Sequence, residues 1–507
     1  MKPNKKMINK AIILAAGFGI RLESITMHKP KCMVKVCGKP ILEYQLDAYS
    51  KLGLNEIIVV TGYKSSIIED FLYNRRQENI RIVKNENYKN SNNMYSLWLC
   101  KKELLECDRL YISNADVLFD DSILNRASNE RESQIICQKN FYDEESMKIK
   151  IDSMENVNDI SKTISQEESF GCSIDLYSFE RDVLKKLNNA ICETIEIKKD
   201  LNKWTEVAIQ EIVNSGDVIV KPFCLEDHER WFEIDTLDNL IDAELVFSNL
   251  SKKLAQKKGF IFDLDGTIYI GEKPIDGAKE LLNKLNKNNR IVKFLSNNSS
   301  KNKTEYIEKL KNQNINVTEE NLIISTDVAI HELKSMGFKS GYILGTKSLV
   351  NNFEKNEIFH SPKRPEFVLI GYDTELDYEK LKQATLLINT GLPYFATHAD
   401  IFCPTPTGPI PDAGSFIELF KSITGRMPVI FGKPKKSIID FAVQNDDNLS
   451  NFVFVGDRLR TDFDMCKRAN LDFICVLSGE TQRELIENEH KWPELIVRSV
   501  NDLTELV

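Results

Sequence analysis

Short apolar runs recur along this chain, each followed by a polar or glycine-containing turn. Ala11 to Ala15, Glu56 to Thr61, Leu110 to Ser113, Gly259 to Phe262 and Phe452 to Val455 have this form. Between them lie helical patterns such as Ile41 to Leu52 and Ala278 to Leu285. A strand buried on both faces reads as a continuous apolar run, and alternation with helices predicts parallel sheets covered by helices. In such α/β architectures ligands gather beyond the carboxyl ends of the strands, so the residues just after each run matter most.

With 507 residues the chain is long enough for at least two cores. Its net charge of −9 argues against a nonspecific grip on nucleic acid. No run approaches the roughly 18 apolar residues of a membrane span, so no membrane partner is expected. The eleven cysteines show no CxxC pair and no zinc-ligand spacing, and they read as reduced thiols of a cytoplasmic protein. The basic then apolar start imitates a signal peptide, but Gly17, Gly19 and Arg21 interrupt it. A helix running from Leu237 into a charged tail at Lys258 marks the expected seam, giving domains at 1–250 and 257–507.

In the first half, Ile12-Ile-Leu-Ala-Ala-Gly-Phe-Gly-Ile-Arg-Leu22 places a strand before a glycine loop. Backbone N–H groups at Ala15, Ala16, Gly17 and Gly19 can approach phosphate oxygens, and Arg21 offers a fork of donors. A plain glycine turn into a helix is the alternative. His28-Lys-Pro-Lys-Cys-Met-Val-Lys-Val-Cys-Gly-Lys-Pro-Ile-Leu42 then adds Lys31. Asp116 ends the run Tyr111-Ile-Ser-Asn-Ala-Asp116, and Asp235 ends Trp231-Phe-Glu-Ile-Asp235; two such carboxylates can share Mg2+.

Together these motifs resemble the sugar-1-phosphate nucleotidyltransferases. Asn85 to Trp98, Asp143 to Lys148 and Ile160 to Ile164 look like the choline-phosphate cytidylyltransferase branch, over roughly residues 8 to 245. The resemblance implies a Rossmann-like domain and CTP as donor, with Asn92 or Asn93 reading cytosine unless they only cap a turn. Lys31 and Arg21 would act in catalysis, Asp116 and Asp235 on the metal, and Lys148 and Lys162 on the incoming phosphate, with solvated surface lysines the alternative for the last two. Ala115 replaces the usual Gly before the first aspartate. Tyr95, Trp204 and Trp231 with Glu206 are candidates for a choline cage. The segment Ser169 to Asp175 departs from the choline branch, which favours a small polyol or amino-alcohol phosphate such as glycerol phosphate, with choline still open.

In the second half Phe262-Asp-Leu-Asp-Gly-Thr267 follows a strand, so Asp263 and Asp265 both project beyond its end. One can attack phosphorus while the other, kept protonated, serves the leaving alcohol. Ser296 in Phe294 to Ser299 can hold a phosphoryl oxygen, with Asn297 beside it. Lys433 in Gly-Lys-Pro434 can neutralise charge, and Asp457 and Asp462 can join Asp263 and Asp265 on Mg2+. Singly, Ser296 reads as a helix cap and Lys433 as a surface charge. As an ordered set, these elements resemble the haloacid dehalogenase superfamily of phosphatases. The long interval between Ser296 and Lys433, with Val368 to Tyr378, Ala396 to Asp400 and Pro404 to Gly414, is similar to the C2 cap of its nitrophenyl-phosphatase and phosphoglycolate-phosphatase subclass. The implied fold is a second Rossmann-like core with an inserted α/β cap at about 335–425. His398 stands where relatives carry Asn and is a candidate substrate contact.

The expected protein is a bifunctional enzyme. It would transfer CMP from CTP to a small phospho-alcohol, hydrolyse a small phosphate monoester, and serve a CDP-activated precursor of surface polysaccharide. Its partners would be small phosphorylated molecules, with a homodimer left open. The alternatives are a monofunctional transferase whose second half binds or dimerises, a nucleotide-sensing first half, or another donor with a sugar-1-phosphate acceptor.

Overall fold

The computed structural model describes residues 7–300, 302–403, 408–443 and 448–507. The first six residues of the signal-like start and Pro404 to Thr407 of the cap motif lie outside them. The chain divides into two compact units between Phe247 and Ser248. Each is described by itself.

The first unit is built on a nine-stranded sheet. Ile80–Lys84, Glu56–Thr61, Asn9–Ala15 and Arg109–Asn114 lie side by side and parallel. Ile57, Ile58, Val59 and Val60 are all fully buried, as a central strand covered on both faces requires. Alternation divides the first strand between two cores. Ile12 and Leu14 pack with Met94 and Leu97, whereas Ala11, Ile13 and Ala15 pack with Leu42 and Leu46 of the helix Ile41–Ser50.

Beyond Arg109–Asn114 the sheet departs from the all-parallel expectation. Gly171–Glu180 joins antiparallel and carries Ser133–Lys139 and Lys148–Ile151, also antiparallel. A small separate pairing of Trp231–Glu233 with Val117–Phe119 returns the end of the unit to the end of the parallel block. The predicted continuous helix at the seam also breaks. Leu237–Phe247 is α-helical, and a 3-10 turn at Ser251–Gln256 follows it.

The second unit holds a six-stranded parallel sheet in the order Leu322–Ile324, Ile291–Ser296, Gly259–Asp263, Phe452–Gly456, Asp472–Val476, Leu495–Val497. Between Leu322–Ile324 and Phe452–Gly456 in sequence is inserted a second parallel sheet. Its order is Phe359–His360, Ser340–Leu344, Phe367–Ile370, Tyr394–Ala396, Val429–Ile430. The helices Tyr378–Asn389 and Ala413–Thr424 pack on it through Ala384, Ile388, Ile417 and Phe420, against Leu344, Val368 and Ile370. The insertion thus has its own core, as an α/β cap must.

Candidate active sites

In the first unit a cavity of about 540 Å3 opens beyond the carboxyl ends of Asn9–Ala15 and Arg109–Asn114. Ala15, Ala16, Gly17, Gly19, Arg21, Lys31, Asn92, Asn93, Asp116, Lys162 and Asp235 all line it. Gly19 has φ +67°, and a Cβ there would lie 2.8 Å from Cβ of Lys31. The loop therefore needs glycine both for its turn and for the passage of Lys31.

Asp116 and Asp235 are far apart in sequence but meet because Trp231–Glu233 pairs with Val117–Phe119 and Ile234 N–H donates to the Asp116 carbonyl at 3.0 Å. Lys31 Nζ donates to Asp116 Oδ2 at 2.7 Å and also to Asp235. Arg21 Nη1 reaches Asp235 Oδ2 at 3.0 Å. Burial alone would lower the Lys31 pKa, but the two carboxylates outweigh it and raise it above the ordinary value. Burial likewise pushes Asp235 up, and Lys31 and Arg21 more than cancel the effect, leaving it low.

Four more acids share this cavity, Glu145, Asp175, Glu206 and Glu233. Oxygens of Asp116, Glu233 and Asp235 lie within 4.8 Å of one another. Glu233 escaped notice in the sequence, although it is two residues from Asp235 on an extended segment and so on its face. Burial, then the charges of Asp175, Asp116 and Asp235, push Glu233 up to about 9. Asp175 is pushed up to about 8 by burial and by Glu206. Tyr177 Oη lies 3.1 Å from both Asp175 Oδ1 and Glu206 Oε1, and Asn114 Nδ2 donates to Asp175 Oδ2 at 2.9 Å. One hydroxyl hydrogen cannot serve two carboxylates, so this pair favours holding a proton of its own.

Several expectations for this unit need correction. Lys148 is fully buried and outside the cavity lining. Its ammonium donates to the carbonyls of Asp143 and Glu144 at 3.2 and 2.9 Å, so it shapes the loop instead of meeting substrate. Asn93 lines the cavity while donating to Asn114 and accepting from Thr205 N–H, so one hydrogen and one lone pair of its amide are engaged within the fold. Asn92 caps the helix Asn93–Trp98 through a 2.8 Å bond to Asn93 N–H while also lining the cavity. No aromatic cage forms from the named residues. Tyr95 stacks on Trp98, Trp231 meets Phe141 and donates to Gln138, and only Trp204 lines the cavity, with Lys162 Nζ 5.1 Å from its ring centre.

In the second unit Asp263 ends Gly259–Asp263, Ser296 ends Ile291–Ser296, and Asp457 follows Phe452–Gly456. These three strands are neighbours, so the sheet itself gathers the side chains. Oxygens of Asp263, Asp457 and Asp462 lie within 4.8 Å of one another. Lys433 Nζ sits 2.7 Å from Asp462 Oδ1 and also bonds Asp263. Burial tends to lower the Lys433 pKa, and the two carboxylates raise it above the ordinary value instead. Burial pushes Asp462 up to about 6 and Asp457 well above its usual range, with the Asp263 charge adding to both. Gly266 has φ +86°, and a Cβ there would lie 2.4 Å from Asp457 Oδ2.

Asp265 is not part of the carboxylate cluster, contrary to its expected place among the metal ligands. Its carboxyl accepts from Tyr269 Oη at 3.0 Å, and burial with the nearby Asp263 charge raises its pKa. Asn297 does not face outward either. Its amide bonds Asp400 Oδ1 and both backbone groups of Lys433, fixing the lysine's loop. His398 is fully enclosed, 3.3 Å from Ser299 Oγ and 3.5 Å from Asp412 Oδ1, so the expected substrate contact is replaced by internal packing. Arg458, not anticipated, donates to Asp400 Oδ2 at 3.0 Å from the position next to Asp457. Its place within Gly456-Asp-Arg-Leu-Arg-Thr-Asp462 was the available signal.

Comparison with known proteins agrees with this division. Residues 10–248 match the nucleotidyl transferase family model. Residues 260–358 match the haloacid dehalogenase-like hydrolase model, and 430–503 a related hydrolase model. A 5'-nucleotidase, YutF, of Bacillus subtilis is 31% identical over 252 residues, covering 49% of this chain and 97% of that protein. The chain belongs to the haloacid dehalogenase-like hydrolases. An acid sugar phosphatase of Staphylococcus saprophyticus is 30% identical, over 48% of this chain and 96% of its own length. Among solved structures, a 4-nitrophenylphosphatase from Thermotoga maritima is 35% identical with a TM-score of 0.48, covering 50% of this chain and 98% of that one. The family models thus place a nucleotidyl transferase domain ahead of the hydrolase domain. Among the described residues, no helix is long and apolar enough to cross a membrane.

Proposed function

We propose that the first domain transfers CMP from CTP to the phosphate ester of a small amino alcohol, and that the second hydrolyses a small phosphate monoester. The observation that carries the acceptor class is the pair formed by half-buried Asp175 and buried Glu206 in the lining of the cavity. A primary ammonium could donate to both carboxyls, and its charge would compensate theirs. A trimethylammonium group asks for aromatic faces instead; of the cavity's Phe18, Tyr88 and Trp204, the first two pack on each other and Trp204 has Lys162 Nζ 5.1 Å from its ring centre. This choice narrows the broader phospho-alcohol class that also includes glycerol phosphate and phosphocholine.

Both carboxylate clusters suit Mg2+: their donors are oxygens alone, and Asp116 Oδ1 and Asp457 Oδ1 are buried without a hydrogen-bond partner. Asp116 and Asp235, with Glu233 beside them, would hold the ion in one domain, and Asp263, Asp457 and Asp462 in the other. When bound, the ion neutralises phosphate oxygens and lowers the cost of charge build-up. In the first domain an acceptor phosphate oxygen attacks the α-phosphorus of CTP and pyrophosphate leaves. Lys31 and Arg21 supply positive charge along that line, and no nucleophilic side chain is required. In the second, the Asp263 carboxylate attacks the ester phosphorus while Asp265, held protonated, gives its proton to the departing alcohol oxygen. Asp265 then takes a proton from water, which attacks the acyl phosphate, frees phosphate and restores Asp263. Lys433 steadies Asp263 throughout, and Ser296, at the end of its strand, would hold a phosphoryl oxygen. The reading puts both steps in the cytoplasm, toward a CDP-activated precursor of surface polysaccharide.

The test is pyrophosphate release by purified protein with each of four nucleoside triphosphates against phosphoethanolamine, phosphocholine, glycerol 3-phosphate and sugar 1-phosphates. Release with CTP and phosphoethanolamine, with mass detection of the CDP product, is the expected result. Release only with a sugar 1-phosphate and another nucleotide overturns the donor and the acceptor together.

A further inference from the structure

Two cysteines that neither site uses face each other across neighbouring strands. Val220–Cys224 runs parallel to Ser133–Lys139, and the register pairs Cys224 with Cys137. Residues paired in this way point to the same face, and strands lie about 4.8 Å apart, within the Cα separation a disulfide can span. Both side chains belong to the same apolar cluster, Cys137 fully buried and Cys224 only partly. Val220–Cys224 pairs with no other strand among the described residues and ends at Cys224, so a single ladder holds its end.

The surroundings give the two sulfurs different parts. A hydrogen bond from Cys137, with Lys139 and Arg126 close by, holds the Cys224 thiol down to about 7. Arg126 is fixed there, donating to the Cys224 carbonyl at 3.0 Å. A partly exposed thiolate beside a buried thiol is the arrangement of an attacking and a resolving cysteine. The third sulfur nearby, Cys172, lies opposite Gln138 instead of Cys137, and its thiol donates to the Phe141 carbonyl at 3.4 Å.

We propose that Cys224 and Cys137 form a reversible redox pair, in which a hydroperoxide oxidises Cys224 and Cys137 closes the product to an intramolecular disulfide. The Cys224 thiolate attacks one peroxide oxygen and the O–O bond breaks. Cys224 becomes a sulfenic acid, and the departing oxygen takes up a proton to leave as water or alcohol. The Cys137 sulfur then attacks the sulfenic sulfur. An S–S bond forms, the S–O bond breaks, and hydroxide leaves with the Cys137 proton as water. Two thiols are oxidised and one peroxide is reduced. A small dithiol reverses the change by exchange.

The test treats the full-length protein with hydrogen peroxide, blocks remaining thiols, and maps peptides without reduction. Expected are the loss of two of the eleven thiols, a mass decrease of about 2 Da, a cross-linked peptide joining Cys137 to Cys224, and full reversal by dithiothreitol. In Cys137→Ser the bond is absent and Cys224 is trapped by a sulfenic-acid probe. A link between Cys137 and Cys172, oxidation of Cys224 to the sulfinic acid without a link, or resistance of both thiols overturns the proposal. Should Cys137→Ser fail to fold, the peptide map of the unsubstituted protein decides alone.

Discussion

Each site holds a lysine whose ammonium joins two carboxylates. Lys31 links Asp116 to Asp235, and Lys433 links Asp263 to Asp462. Acids gathered around one point repel, and a buried cation between them is the simplest compensation. Asp175 has no lysine in this role, and it is pushed up to about 8 from 3.8 by burial and Glu206. Between those values the folded chain keeps a proton that the unfolded chain has lost. The stability of the first unit should therefore fall as pH rises across that window in the absence of ligand. Capture of an ammonium acceptor requires the opposite, an ionised Asp175. Acceptor kcat/KM should rise toward pH 8, by up to about tenfold per pH unit, then level off. Asp175→Asn should flatten that profile, and matching pH profiles for the two proteins would remove Asp175 from the acceptor subsite.

At the scale of elements, the strands announced themselves because they are buried on both faces. Glu56–Thr61 matches its predicted run, and Gly259–Asp263 and Phe452–Gly456 extend theirs by one residue. The residues just beyond the predicted runs were legible for the same reason, including Asp263 and, past their strands, Asp116 and Asp457. The antiparallel strands from Ser133 to Glu180 were not, because buried polar residues such as Ser133, Gln134, Ser173 and Ser178 interrupt their apolar runs and make them look like loops. Asp175 and the true setting of Lys148 went unseen with them, since both sit on that part of the sheet. The enclosure of His398 and the internal bonding of Asn297 depend on contacts between distant segments, which spacing does not report. The glycine loop permits a direct test. Gly19→Ala must adopt φ near +67° and press its Cβ on Lys31. A backbone cost of about 1–2 kcal/mol follows. Transferase activity should drop at least about tenfold as Lys31 is displaced, with phosphatase activity unchanged. Normal transferase kinetics in this variant would show that the loop has more room than its geometry indicates.

For the whole molecule, each carboxylate cluster is assembled entirely from its own unit. The two activities should therefore separate cleanly by mutation. Asp263→Asn should lower phosphate release on the order of a thousandfold or more and leave pyrophosphate release intact. Asp116→Ala should lower the transferase on the order of a hundredfold or more and spare the phosphatase. Phosphate release that survives Asp263→Asn in a folded protein would mean the second unit does not use this nucleophile. Unchanged phosphatase folding can be followed by its own thermal transition.

The short pairing of Trp231–Glu233 with Val117–Phe119 has a consequence for how the protein is made. A nascent chain that has emerged past Cys224 but not yet to Asp235 has laid down all nine strands of its first sheet and still lacks one of the two carboxylates proposed for its cation. The second unit repeats the arrangement, with Asp263 produced near its beginning and Asp457 and Asp462 near its end. In both, the carboxylates proposed to hold the ion come together only after a late segment has been made, so uptake would follow synthesis of Asp235 in one unit and of Asp462 in the other.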